Sequence, residues 1–197
     1  MTVTGLLCFS FFTVYSNFVF LHTIDEVRHR SFRELSLEEH HEILSGSRGY
    51  PYQWRVLGSW IVRAVEVTTS ADPHAVDFIV KTVALTISAG ALMGFAASVV
   101  GRFGAVMAAA FYFTLTCAAF ASQGYSIYYT NDYLMVAAWY SAVWLGLHRR
   151  YIGVALVTAI GALAKETMVL VPILMTLEMW RRGVAVKHWA EIGRAHV

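Results

Sequence analysis

The chain has 197 residues, of which 57% are hydrophobic and 14% charged, with a formal net charge of +2 and a mean hydropathy of +0.54. A water-soluble domain averages about 45–50% apolar and ~25% charged residues, so this composition predicts a helical protein that crosses a membrane several times. No basic stripe is present, which removes nucleic acid from the expected partners and leaves the lipid bilayer. The two cysteines, Cys8 and Cys117, sit in apolar runs and form neither a disulfide framework nor a CxxC zinc site.

Gly5–His22 carries no charge and reads as a first, uncleaved span, since no A-x-A site follows it. Asp25-Glu26 comes directly after it at the expected membrane surface, and residues 23–52 are polar. Within them Ser36-Leu37-Glu38-Glu39 is a capping box, which predicts a short helix from Leu37 to about Leu44 with Ser36 as N-cap. His40 and His41 on that helix read as solvated.

Pro51–Val67 is too short and too charged for a lipid-facing span. At helical spacing Trp54, Leu57, Ile61 and Ala64/Val65 form one face, and Arg55, Ser59, Arg63 and Glu66 another. That amphipathic pattern suits a helix lying in the interface, with Trp54 and Trp60 at headgroup level.

Further apolar stretches follow at Val76–Val100, Phe103–Ser122, Tyr133–Leu147, Tyr151–Ala164 and Met168–Trp180. Lys81 reads as a snorkelling residue of the first of these. Gly90, Gly94, Ala97 and the alanines of 105–110 read as close-packing positions between helices. The expected fold is an all-α polytopic membrane protein: about six membrane helices, plus interfacial juxtamembrane helices in the first external loop. Residues 1–190 make a single membrane domain. Glu191–Val197 (EIGRAHV) reads as the in-frame translation of a common sequencing adapter, so the chain is expected to continue beyond Ala190.

Lysine and arginine counts set the orientation. With Pro51–Val67 in the interface, Arg102, Arg149, Arg150, Arg181, Arg182 and Lys187 share the cytoplasmic side. Asp25-Glu26, the 123–132 loop and Lys165-Glu166 then meet on the opposite face.

Lys165-Glu166 is the sharpest functional signal, because charges at membrane depth mark sites by default. Each flanking run is short: Tyr151–Ala164 makes ~21 Å of helix against a hydrocarbon core of ~30 Å. A hairpin of the two would place the pair in a cavity below the membrane surface, with Pro172 weakening the return helix. A lysine there suits a phosphate group as a point charge. Asp25, Glu26 and Asp132 on the same side offer a general base and metal ligands. The plainer alternative is a transporter or non-catalytic membrane protein in which Lys165 and Glu166 neutralise each other, and Asp132 is only a helix N-cap.

Three motifs in this order carry a resemblance over roughly residues 20–180. They are Asp25-Glu26 followed by an amphipathic helix, Tyr128-Tyr129-Thr130-Asn131-Asp132-Tyr133-Leu134 opening a later span, and Leu163-Ala164-Lys165-Glu166-Thr167 leading to Pro172. The layout resembles the GT-C-type integral-membrane glycosyltransferases, in particular the protein-mannosyltransferase and aminoarabinose-transferase-like superfamily. The resemblance implies transfer of a sugar from a polyprenyl-phosphate-linked donor at the extracytoplasmic face of a bacterial inner membrane, often with a divalent metal. It implies Asp25, Glu26 and Asp132 as catalytic residues, and Lys165, Glu166 and Arg55 as substrate-binding ones. The charged Lys/Glu-Pro-Pro stretch of the best-known subfamilies is replaced in this chain by Tyr50-Pro51-Tyr52.

Overall fold

A computed structural model describes residues 2–28, 32–47, 49, 55–123 and 130–181, with backbone alone over 17–28, 32–37, 39, 117–123, 175 and 178–181. The 191–197 tail and the Tyr128-Tyr129 part of the later motif lie outside the described residues. Every described element is helical: α1 (Val3–Arg28), α2 (Phe32–Ser45), α3 (Leu57–Thr69), α4 (Pro73–Gln123), α5 (Thr130–Leu147), α6 (Tyr151–Ala162), a 3₁₀ turn (Glu166–Val169) and α7 (Leu170–Arg181).

The 51 residues of α4 are not one rod. Gly101 has φ 80° and ψ −179°, a conformation that only glycine adopts readily. The Ser88 hydroxyl lies 2.9 Å from the Tyr112 hydroxyl, whereas 24 residues of continuous helix would separate them by ~36 Å. The chain therefore folds back at Gly101 into two antiparallel limbs, 73–100 and 102–123, matching the two stretches expected from the sequence. Gly101→Ala is expected to cost about 1–3 kcal/mol of stability, measured as the unfolding midpoint of the detergent-solubilised protein.

α1 packs on this hairpin in the opposite direction to its first limb. Leu6 lies beside Gly90, and the Phe11 and Phe78 rings meet edge to face at 5.3 Å. One core joins Leu6 and Val14 of α1, Ala84, Leu85 and Ala89 of the first limb, Phe113 of the second, and Tyr133 and Ala137 of α5. A second joins Ala142, Val154, Met168 and Val171, tying α5 to α6, the 3₁₀ turn and α7. Close approach matters at Gly94, where an added Cβ would fall 2.4 Å from Trp144 Nε1. Ala105 and Ala109 are buried as expected of packing residues, but Ala97 is exposed.

The outer surface is apolar. Ile79, Val83, Ile87, Phe103, Met107, Phe111, Ile152, Leu156, Ile160, Ile173 and Leu174 are all exposed, while small alanines fill much of the interior. Among the described residues one stretch, Pro73–Thr116, passes on length and hydropathy for crossing a membrane; it takes in both limbs of the hairpin, and only 28% of its most apolar window is buried. Val3–Ser16, the part of the 26-residue α1 with described side chains, and Tyr151–Ala162 are apolar over shorter lengths. The expected count of about six spans is thus corrected to one helix that passes on length and hydropathy. The physical reason is visible in α5, which opens on polar Thr130-Asn131-Asp132, and in α6 and α7, at 12 residues or ~18 Å each.

Two local expectations are also corrected. α2 begins at Phe32, so Ser36 lies inside the helix and is not its N-cap. Pro172 falls in the first turn of α7, where its missing N–H costs no helical hydrogen bond, so the return helix is not weakened there.

Candidate functional site

Polar side chains from five elements converge at one end of the bundle. α5 starts there with Thr130-Asn131-Asp132, and α6 ends there in the turn that carries Lys165-Glu166. The same end receives the beginnings of α3 and α4. The Gly101-Arg102 and His148–Arg150 turns lie a helix length away, with Arg102, Arg149 and Arg150 exposed. This is the separation of loops expected from the charge pattern.

Lys165 and Glu166 do not neutralise each other. Lys165 Nζ donates to Asp132 Oδ1 at 2.6 Å, across the α5–α6 packing. Glu166 receives a two-pronged contact from Arg55, with Nε at 3.1 Å from Oε2 and Nη2 at 2.8 Å from Oε1. The cause is backbone geometry. Lys165 is extended (φ −160°, ψ 136°), which turns consecutive side chains to opposite sides. The direct bonds of Lys165 and Glu166 thus go to other residues, and four of the expected site residues (Arg55, Asp132, Lys165 and Glu166) form two ion pairs, Lys165–Asp132 and Arg55–Glu166.

Asn131 locks the two pairs together. Its Oδ1 accepts the Gly58 amide at 2.8 Å and its Nδ2 donates to the Arg55 carbonyl at 2.7 Å, while the Leu57 amide donates to the Leu163 carbonyl at 3.0 Å. Gly58 permits the approach, since a Cβ there would meet Asn131 Oδ1 at 3.0 Å and Thr130 Cβ at 3.1 Å. Gly58→Val is expected to destabilise by about 1–3 kcal/mol through overpacking, and to loosen Arg55 as well, read by proteolysis of the 48–56 segment.

A third group escapes a reading of the sequence alone. Asp77 accepts from Lys81 Nζ at 2.6 Å and from the Thr130 hydroxyl, with side chains of Asp77 and Lys81 only 5% and 6% exposed. His40 Nδ1 lies 3.0 Å from the buried Ser59 hydroxyl, and its Nε2 lies 3.8 Å from Asp77 Oδ1. Lys81 is thus not a snorkelling residue, and His40 is not solvated. The i,i+4 spacing of Asp77 and Lys81 inside an apolar helix was the available signal.

The two expected faces of α3 do not map onto burial: Gly58, Ser59 and Val62 are buried, whereas Trp60, Arg63 and Ala64 are exposed. Ser59 turns inward to His40, while Arg63 of the same expected face stays outside and pairs with Glu66. α3 leaves the cluster at Gly58, and the chain is back there by Asp77, so Leu57–Thr69 stays at this end and does not run the length of the bundle.

Asp25 and Glu26 fall in the last turn of α1, about 14 residues or ~21 Å of helix beyond Phe11, and Phe11 already packs on Phe78 beside Asp77, so the described backbone carries the two acids past the cluster. Their side chains lie outside the described residues. Among the described residues no three His, Cys, Asp or Glu side chains gather to hold a metal. Asp132 and Asp77 are each engaged by a lysine.

Glu166 is half-exposed. Its carboxyl is held below the ordinary glutamate range, chiefly by the Arg55 hydrogen bond and against the opposing effect of burial. A lowered folded-state value means that the ion pair's stabilisation is full above the unfolded value and is lost as pH falls through the folded one. Glu166→Gln is therefore expected to lower the unfolding midpoint at pH 7, with the difference from wild type shrinking as pH falls below the ordinary glutamate value of about 4.3 and vanishing below Glu166's own lowered one, measured by thermal unfolding across that range.

No family model, curated protein or solved structure matches the chain.

Proposed function

We propose that the chain is part of a multi-pass, GT-C-like membrane glycosyltransferase, and that the cluster end is where it holds a polyprenyl-phosphate-linked sugar donor. The observation that carries this reading is the placement of Lys165 and Arg55. Two cations from distant elements are fixed at the same end of an apolar bundle, Lys165 on Asp132 and Arg55 on Glu166, the residue next to Lys165. Lys165 and Asp132 are 22% and 18% exposed, and Glu166 is 51% exposed.

Membrane residence is supported by the exposed apolar surface together with the alanine-rich interior. The α6–turn–α7 unit, too short to span, suits a re-entrant hairpin whose tip faces the extracytoplasmic side. Arg102, Arg149 and Arg150 at the other end fit the cytoplasmic face.

In the reaction proposed, the acceptor hydroxyl loses its proton to a carboxylate as its oxygen attacks the anomeric carbon. The bond to the phosphate oxygen breaks, and the phosphate leaves with the electron pair. Lys165 and Arg55 stabilise that departing charge. From the resemblance, and not from a contact with Lys165, Asp25 in the last turn of α1 is the proposed base, with Glu26 beside it, and Asp132 positions Lys165. The test is transfer of a radiolabelled sugar from polyprenyl-phosphate donors in proteoliposomes. Asp25→Ala is expected to abolish transfer while the protein still inserts. Retained transfer would rule out Asp25 as the base.

A further inference from the structure

The two ends of the bundle differ in how their positive charges are met. Toward the cluster, each described lysine or arginine side chain rests on a carboxylate: Arg55 on Glu166, Lys165 on Asp132, Lys81 on Asp77 and Arg63 on Glu66. At the other end Arg102, Arg149 and Arg150 are exposed, and their side chains have no partner among the described residues. The sequence gives the reason, since no Asp or Glu lies between Phe78 and Asn131 or between Tyr133 and Lys165. α7 returns toward this end with Glu178, but Arg181 and Arg182 follow it. Counter-charge for the three guanidinium groups is left to the surroundings.

The arginines sit on a fixed turn. α5 closes with the Arg150 amide donating to the Leu145 carbonyl at 2.9 Å and the Arg149 amide to the Gly146 carbonyl at 3.1 Å, the paired bonds of a Schellman end. Arg149 occupies its left-handed position, with φ 57°, where glycine is usual. The His148 ring packs on Trp144, and Trp144 lies against Gly94 of α4. From that contact the α5 turn is ~6 Å of helix away and the Gly101-Arg102 reversal ~10 Å, so the two turns are neighbours. Around them Val99, Val100, Phe103 and Ile152 are exposed, Phe103 to 81%.

Unpaired arginines among exposed apolar side chains fit the boundary where bilayer hydrocarbon meets headgroups. The anion at that depth is the lipid phosphate, which a guanidinium can hold through two hydrogen bonds. A soluble anion would leave Phe103 and its neighbours in water. We propose that this end of the bundle docks anionic phospholipid headgroups, on Arg102 from one turn and Arg149-Arg150 from the other, with Phe103 and Ile152 against the acyl chains. The proposal rests on the bundle lying in a membrane and is independent of sugar transfer at the Lys165 end.

The test is native mass spectrometry of the full chain in detergent, offered phosphatidylglycerol and phosphatidylcholine in equal amounts. Wild type is expected to retain phosphatidylglycerol saturably and in preference. That preference should fall roughly tenfold in R102Q/R149G/R150Q, in which glycine at 149 suits the left-handed turn and keeps the fold. R63Q, away from the arginine turns, should retain it, and millimolar inorganic phosphate should not displace the lipid. Flotation with vesicles of phosphatidylcholine alone checks membrane residence separately, and wild type and triple variant should both float. A wild type that does not float would overturn membrane residence and the inference with it. With flotation intact, equal retention of the two lipids, an unchanged preference in the triple variant, an equal loss in R63Q, or displacement by phosphate would each overturn the inference alone.

Discussion

Lys81→Met is expected to destabilise the protein by about 3–5 kcal/mol, the cost of leaving a buried charge without its partner. Asp77 and Lys81 are among the most enclosed charges described, and Asp77 also holds Thr130 at the start of α5. Losing Lys81 leaves a carboxylate facing Thr130 and His40 in a site with little water. The double variant D77N/K81M should recover most of the loss, because no net charge then remains to be enclosed. Unfolding in detergent measures both. A double variant as unstable as the single one would mean that packing around Lys81, and not its charge, holds this region together.

Lys165→Met should leave the fold nearly intact and, on the proposed function, cut sugar transfer by about 10²-fold or more, the size typical of removing one preorganised group that stabilises developing charge. The contrast with Lys81 follows from exposure. Lys165 and Asp132 keep some access to solvent, so an unpaired Asp132 is partly hydrated, and the structural penalty is small. Lys165→Arg should restore part of the activity, since charge is kept while the point-like ammonium is not. The measurement is initial rate in proteoliposomes alongside thermal unfolding. Equal losses of rate and stability would assign Lys165 to structure alone.

How much of the molecule is readable from its residues depends on range. The helical class follows from composition, and the reversal at Gly101 from a polar Gly-Arg between two apolar runs. The helix ends near 45, 147 and 162 follow from Gly46, the His148–Arg150 run and the Lys165-Glu166 break. The identity of the site is partly legible, since Arg55, Asp132, Lys165 and Glu166 all stand out in the sequence. Their pairing does not, because which acid meets which base depends on the extended backbone at Lys165 and on Asn131 fixing α3 to α5. His40 and Asp77 stay hidden for a related reason. A histidine in a polar helix reads as solvated until another helix is laid across it, and α3 does that with Ser59. In α3 the amphipathic pattern marks a helix but not its packing, since Ser59 is buried against His40 while Arg63 of the same expected face stays exposed.

Lys165 and Glu166 belong to different pairs, and a double-mutant cycle on stability tests that central point most directly. Coupling of Lys165→Met with Asp132→Asn is predicted at about 1–3 kcal/mol, and coupling of Lys165→Met with Glu166→Gln at no more than about 0.5 kcal/mol. The reverse order, with Lys165 coupled to Glu166 and independent of Asp132, would contradict this arrangement of the site.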